Sequence, residues 1–321
     1  MPFNWKIYRE LNIALRRNKL IKQQDYERHY ETKGKSQKLP AFISDVYPDF
    51  TAGGYAKHNP DLKFTTPEQF EEHWIIHGRK EGRRYKDEQW KPSFHVLVAT
   101  GGRQTIINLL RSLLNQLESN DYLTIVFDGP ERAKQYDLVN DFTKSFKCTV
   151  KLIVEEKNLG HWGHGIRNKH NKLTGDFIMH ADDDDFYLPG VFVKLRHICN
   201  DPSTIYVYQF EDKRGRTIFN DAFGFGTIGT PSGVIPARYN ADSVWQPMIG
   251  GDNKFYTELS NKYGERFVFI PLAIYTENCM SPRLFNWEQY RKLNADLKFT
   301  RKEEFEKHWR EKGVAECRCI N

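Results

Sequence analysis

The sequence predicts an α/β fold: a mostly parallel sheet with helices on both faces, and small helical modules at both ends. Three observations predict it. Between residues 94 and 182 short apolar runs alternate with helical patterns, the order that gives a doubly wound sheet. The first of those runs, Phe94–Thr100, is almost continuously apolar, as a strand covered on both faces is. A segment near the start of the chain also returns near its end.

That return organises the flanks. Residues 55–83 and 290–318 align at a constant offset of 235 (290 − 55), with 16 of 29 positions identical. A weaker copy opens the chain: Phe3, Asn4 and Trp5 match Phe285, Asn286 and Trp287, while Tyr8 and Asn12 match Tyr290 and Asn294. After three extra residues, Tyr26, His29, Tyr30 and Gly34 match Phe305, His308, Trp309 and Gly313. Each copy reads as two short helices. Thr66 with Gln69, and Thr300 with Glu303, have the spacing of a capping box, and Pro67 suits a first helical position. Phe70, His73 and Trp74 fall on one helical face and read as core. Gly78 and Gly313 are placed to close the helices with left-handed caps. The division that follows is residues 1–90 with two copies, 91–283 as the central domain, and 284–321 with the third copy near the N-terminal region.

The central domain begins after the linker at 86–93. Phe94–Thr100 is a buried strand followed by Gly101-Gly102-Arg103, then a helix with a broad apolar face. Tyr122–Phe127 is a second strand, ending at Asp128-Gly129-Pro130. A helix is predicted over roughly 131–145, and Thr149–Val154 is a third strand. Residues 158–168, Asn-Leu-Gly-His-Trp-Gly-His-Gly-Ile-Arg-Asn, are glycine-rich and lead into a helix near 166–173. Residues 205–210 and 233–236 read as further strands. The glycine-rich loop between them suits a sugar face or a lid.

The strand over 177–179 runs into Asp182, Asp183, Asp184 and Asp185, then Leu-Pro-Gly. Adjacent carboxylates repel, and at the rim of a sheet a divalent cation is the natural counter-charge. Hard oxygen ligands suit Mn2+ or Mg2+. In a doubly wound sheet, ligands bind at the carboxyl ends of the strands, where Thr100, Gly101, Arg103, Asp128 and the acid run converge. Gly160, Gly163 and Gly165 let backbone approach a ligand. His161, Trp162 and His164 among them shape a pocket or serve ordinary loop packing. The Gly-Lys-Ser/Thr ending of a phosphate loop is absent from this segment.

Composition bounds the setting. Hydrophobic residues make up 39% and aromatic residues 14% of the 321, and the net charge is +6. No apolar stretch is long enough to cross a bilayer, and residues 1–10 lack an apolar signal core. A soluble, cytoplasmic protein is expected, with scattered reduced cysteines at 148, 199, 279, 317 and 319. The mild positive charge favours nucleotides or peripheral contact with a lipid surface. No basic stripe marks a nucleic-acid footprint.

Over roughly 93–280 this order of parts resembles the GT-A (Rossmann-like) fold of nucleotide-sugar glycosyltransferases, in its large inverting family-two-like group. The Thr-Gly-Gly-Arg turn is similar to that family's nucleotide-binding opening. Residues 158–168 resemble its Asn-x-Gly…Ala-Arg-Asn segment, and the acid run resembles its Asp-x-Asp signature followed by Leu-Pro. The resemblance implies a UDP, GDP or TDP sugar as donor and a glycan, lipid-linked or protein-linked hydroxyl as acceptor. It implies that Asp128 contacts base or ribose. Asp184 would hold the cation, and Asp182 would face either the ribose or the cation. Asp183 and Asp185 would bind sugar hydroxyls or cap the next helix. Asn158 and Gly163 would border the donor, and Arg103 and Arg167 would contact diphosphate or base. Asp252 falls where inverting members carry a general base, although Gly251 replaces the first acid of their acidic pair; its other reading is a helix cap. The Asn-Pro-Asp-Leu and His-Trp repeat resembles one seen in bacterial surface proteins and beside some glycosyltransferases.

Two other functions fit parts of the sequence. A sugar-phosphate nucleotidyltransferase also needs a nucleotide, a cation and an acidic strand end, but Gly-Gly-Arg-Gln-Thr only partly matches its basic loop. An inert carbohydrate-binding or scaffold protein would rest on the repeats, and the intact acids at 182–185 and 252 argue against it.

Overall fold

The computed structural model describes residues 3–17, 20–86, 90–212, 214–218, 226–277, 287–309 and 312. Within them, nine strands form one sheet in the order β3-β2-β1-β4-β8-β6-β9-β5, with β7 beside β6. The strands are β1 Phe94–Thr100, β2 Tyr122–Phe127, β3 Thr149–Val154, β4 Phe177–Asp182, β5 Phe186–Tyr187, β6 Ile205–Glu211, β7 Thr217–Ile218, β8 Gly233–Pro236 and β9 Phe267–Thr276. The first half is parallel, as predicted: β1 pairs in parallel with β2 and β4, and β2 with β3. The second half is mixed. There β8 runs antiparallel to β4 and β6, and β5 antiparallel to β9, while β6 and β9 are parallel. Period-two alternation does not encode strand direction, so this reversal was not readable beforehand.

Both faces of β1, β2 and β4 are covered, whereas β3 at the sheet edge is only partly buried. Phe94, Val96 and Val98 join the main core with Ile106, Leu109, Leu110 and Leu113 of the helix Ile106–Leu114. Leu97, Ala99 and Val126 face the other way, against Ile166 of the helix His164–Lys169. That helix starts and ends earlier than predicted. The segment over 131–145 is a 3-10 turn, Pro130–Gln135, followed by the helix Tyr136–Thr143.

One register detail creates the cleft. The pairing of β8 with β4 covers only Phe177 and Ile178. Beyond them β4 keeps β1 on one side, up to Ala99 opposite Asp182, and on the other meets the 3-10 turn Thr230–Ser232 and the Trp245 ring.

The three repeat copies share one internal lock. The hydroxyl of the first-helix tyrosine meets Nδ1 of the second-helix histidine: Tyr8 with His29 at 3.0 Å, Tyr55 with His73 at 2.9 Å, Tyr290 with His308 at 3.0 Å. One turn later Asn12, Asn59 and Asn294 donate to the carbonyl of the same tyrosine at 2.8, 2.7 and 2.8 Å. Of the two residues expected in the core, Trp74 is buried and His73 is half-buried. Gly78 differs from expectation. It has no positive φ, and a Cβ there would sit 2.3 Å from the Tyr55 hydroxyl, so glycine is needed for space. The left-handed turn comes at Gly82, φ +69. Gly313 lies outside the described residues. The clasp of Gln69 on the backbone of Thr65 and Thr66 is present at 2.9 and 3.1 Å. In the third copy it is Glu304 that clasps Thr300 and Arg301, at 3.1 and 3.0 Å, so the cap is Arg301 rather than Thr300.

The first two copies share a core in which Ile7 and Leu11 meet Tyr55, Trp74 and Ile75. The buried residues of the third copy, Tyr290, Phe305 and Trp309, cluster with Phe186 of β5, directly after the acid run.

Candidate active site

A cavity of about 680 Å³ opens at the carboxyl ends of β1, β2 and β4. Thr100, Gly101, Arg103, Asp128, Asn158, Gly163, Asp182, Asp184 and Asp252 all line it. These residues span more than 150 positions of sequence (252 − 100), and the sheet brings them to one rim. His161, Trp162 and His164 also line it, as one of their two readings expected, while Arg132, Thr230, Met248 and Ile249 in the wall were not singled out beforehand.

β4 ends at Asp182, and the expected extended backbone gives way to a turn at Asp183-Asp184, closed by the Asp185 N–H on the Asp182 carbonyl at 3.2 Å. Asp182 and Asp184 face the cleft, and Asp183 and Asp185 are buried. Asp183 accepts from Oγ1 of Thr100 at 2.6 Å, the N–H of Gly101 at 3.1 Å and Nε of Arg103 at 2.6 Å. It was expected to touch the nucleotide sugar; instead it ties the β1 turn to β4 from below. Asp184 carries the fork of Arg103, with Nη1 at 2.7 Å and Nη2 at 3.0 Å. Burial raises the Asp184 carboxyl above its usual range, Arg103 opposes this, and the charges of Asp182 and Asp183 add to the rise.

Arg167 is the second departure. It is fully buried and does not line the cavity. Its Nη2 donates to Oδ1 of Asp182, its Nη1 donates to the Trp162 carbonyl at 3.0 Å, and its guanidinium stacks on the Trp245 ring at 5.0 Å. Arg167 therefore sets the position of Asp182 rather than meeting a diphosphate itself. Its neighbour Asn168 exchanges two bonds with the backbone of Trp245, both 2.9 Å. The Arg-Asn end of the glycine-rich segment thus fastens the 245–252 wall to the sheet.

Asp128 lines the cleft, with both carboxylate oxygens directed at the glycine-rich loop. Oδ1 accepts from Leu159 N–H at 2.6 Å and Oδ2 from Gly160 N–H at 3.1 Å. Four successive residues there have positive φ: Gly160 (+70°), His161 (+57°), Trp162 (+54°) and Gly163 (+84°). For a histidine and a tryptophan this costs on the order of 1–3 kcal/mol each, and such strain gathers at ligand sites. The strain presents the Trp162 indole, 66% exposed, at the rim of the cleft. Ile249, 70% exposed, lines the same cleft.

His164 has a defined tautomer. Its Nδ1 lies 2.6 Å from the carbonyl of Gln246, which can only accept, so Nδ1 carries the hydrogen. Burial and the charge of Arg167 lower its pKa and keep the ring neutral, with the lone pair on Nε2. A Cβ on Gly251 would lie 2.4 Å from this ring. Next to it, Asp252 is the second residue of the helix Gly251–Tyr263, whose cap is Gly250, so Asp252 is not the cap itself. Burial raises its carboxyl, the Asn253 N–H opposes this, and the charge of Asp182 adds to the rise.

Among the described residues no trio of His, Cys, Asp or Glu gathers to hold a cation unaided. Asp182 and Asp184 still fit one. Mg2+-type sites use one or two carboxylates and take their other oxygens from substrate phosphates and water.

Residues 93–222 match the family model described as Glycosyl transferase family 2. No curated protein matches the chain. Among solved structures, TarS of S. aureus aligns at 18% identity with a TM-score of 0.48, covering 68% of this chain and 43% of that one. The chain thus spans less than half the length of that protein. The mannosyltransferase PcManGT from Pyrobaculum calidifontis, solved with GDP-Man and Mn2+, aligns at 12% identity with a TM-score of 0.47, covering 70% of each chain. GalNAc-T7, solved with UDP, GalNAc and Mn2+, aligns at 12% identity with a TM-score of 0.45, covering 74% of this chain and 57% of that one.

Proposed function

We propose that this chain, which carries a glycosyl transferase family 2 domain over residues 93–222, is a metal-dependent, inverting glycosyltransferase. It moves a hexosyl or pentosyl unit from a UDP, GDP or TDP sugar to a hydroxyl of a glycan, lipid or protein acceptor. The observation that carries this reading is the meeting of the strand-end turn, the glycine-rich loop, two carboxylates and Asp252 in one cavity.

Thr100, Gly101, Arg103, Asp128, Asn158 and Gly163 would border the nucleotide sugar, with Arg132 adding positive charge. Asp182 and Asp184 would hold Mn2+ or Mg2+, which when bound supplies charge neutralisation for the departing diphosphate. Asp183 and Arg167 act from beneath by fixing those groups. Asp252 takes the proton of the acceptor hydroxyl as its oxygen bonds to the anomeric carbon. The carbon–oxygen bond to the diphosphate breaks at the same centre, and its electron pair leaves with the phosphate. A carboxyl raised by burial is a stronger base than a free one, which suits this role. No described helix is long and apolar enough to cross a membrane. We read the chain as a cytoplasmic protein that reaches any lipid acceptor by peripheral contact.

The test is a donor screen: thermal stabilisation and sugar-donor hydrolysis with UDP, GDP and TDP sugars, with and without Mn2+. Stabilisation by one class of donor that requires Mn2+ supports the reading. Release of pyrophosphate from a sugar phosphate and a nucleoside triphosphate would instead establish a nucleotidyltransferase. No response to any donor would leave a scaffold.

A further inference from the structure

Three carboxylates of the acid run, Asp182, Asp183 and Asp184, are already paired within the chain, and their two cationic partners are not equivalent. Arg167 is buried and holds Asp182. Arg103 has a side chain 53% exposed and spans Asp183 and Asp184. Its Nε lies 2.6 Å from Asp183, while Nη1 and Nη2 cover the two oxygens of Asp184 at 2.7 and 3.0 Å. Asp183 keeps its bonds from Thr100 and Gly101 at 2.6 and 3.1 Å whatever Arg103 does. The Asp184 fork is the exposed half of the arrangement, at the cleft wall.

Resting on the reading of the cleft given above, we propose that Arg103 is an exchangeable counter-ion. It occupies Asp184 in the ligand-free chain and passes to the diphosphate of an incoming nucleotide, which frees Asp184 for a cation. An arginine fork matches a phosphate as well as it matches a carboxylate. A hard cation needs the same Asp184 oxygens that the fork covers, so the two compete directly. The exchange keeps a positive group on Asp184 throughout: the nucleotide draws the guanidinium fork away as the cation replaces it. Asp183, satisfied from below, serves as the pivot that retains Nε. Cation and nucleotide are then coupled through one side chain, and linkage makes the coupling reciprocal.

The experiment titrates Mn2+ into the wild-type chain and Arg103→Gln without nucleotide, following free Mn2+ by its paramagnetic resonance signal. UDP and GDP are then titrated without metal by calorimetry. The expected result is Mn2+ binding about tenfold tighter in Arg103→Gln, together with weaker binding of the nucleotide, a size ordinary for coupled sites. Arg103→Lys, which keeps charge but lacks the fork, should fall between the two and decides the matter if the glutamine variant does not fold. Equal or weaker Mn2+ binding in the folded variant overturns the proposal. Because the Mn2+ titration contains no nucleotide, it is decided separately from the donor screen. Failure of every donor would sink the transferase reading and leave the competition between Arg103 and Mn2+ measured.

Discussion

The buried guanidinium of Arg167 donates to Asp182, whose side chain stays 30% exposed at the floor of the cleft. One side chain thus joins the glycine-rich loop, the end of β4 and the Trp245 wall. Arg167→Met removes the partner of Asp182 and the donor to Trp162. The expected cost is roughly 3 kcal/mol, at the low end for breaking a buried pair because Asp182 still meets water. Urea unfolding measures it, and donor affinity should fall in parallel. A change below ~0.5 kcal/mol, typical of a surface arginine, would contradict this placement.

Asp252→Asn should leave Mn2+-dependent donor binding intact and lower turnover by roughly 10²–10⁴, the usual contribution of a general base. The pH profile gives a second reading. Asp252 must be ionised to accept a proton, and burial and Asp182 hold its carboxyl above the usual range. Turnover should therefore fall, as pH is lowered, at a higher pH than for an ordinary carboxylate. Full turnover in the asparagine variant would remove Asp252 from the mechanism.

The repeat lock can be tested by a double-mutant cycle. Gly78→Ala drives a Cβ to 2.3 Å from the Tyr55 hydroxyl, and overpacking of this kind costs roughly 1–3 kcal/mol. Tyr55→Phe loses the bond to His73, worth about 1 kcal/mol. Together they should cost less than their sum, because removing the hydroxyl removes the clash. Strict additivity in thermal unfolding would show that the glycine serves some other purpose.

His180 makes the domain sensitive to acid. It is fully buried, its Nε2 donates to Oδ1 of Asn240 at 2.8 Å, and its Nδ1 has no hydrogen-bond partner. Burial lowers its pKa from 6.5 to about 3. Below pH 6.5 the unfolded chain binds a proton that the folded chain refuses, so stability falls as pH drops from there toward 3. Between pH ~7 and ~5 the loss is on the order of 2 kcal/mol. His180→Gln, which keeps a partner for Asn240, should flatten that slope in urea titrations at the two pH values. An unchanged slope would assign the acid sensitivity to other groups.

β1, β2 and β4 were legible because they are covered on both faces and carry that in composition, and β3, the partly buried edge strand, was legible from its place in the alternation of strands and helices. The acid run, the strand-end turn and the repeat were legible because each is local in sequence. Asp182 and Asp184 line the cleft and Asp183 and Asp185 do not, as expected, but a turn closed by the Asp185 N–H on the Asp182 carbonyl sets this, where an extended backbone was expected. The direction of β8 was not legible, and neither was the role of Trp245, which the helix carrying Arg167 and Asn168 holds in place. The Arg-Asn ending of the glycine-rich segment was the available signal for that wall, but only as a motif without a stated partner.

By itself, the sequence determined the strands β1 to β4, β6 and β8 but not β5, β7 or β9, where carboxylates end β2 and β4, and that one helical unit is used three times. Tertiary structure alone decided which charge neutralises which. Arg103 meets Asp184 across 81 residues of chain, whereas Arg167, expected in the same role, turned inward to Asp182. Charge pairing depends on distance and dielectric after folding, and neither is written in the order of residues.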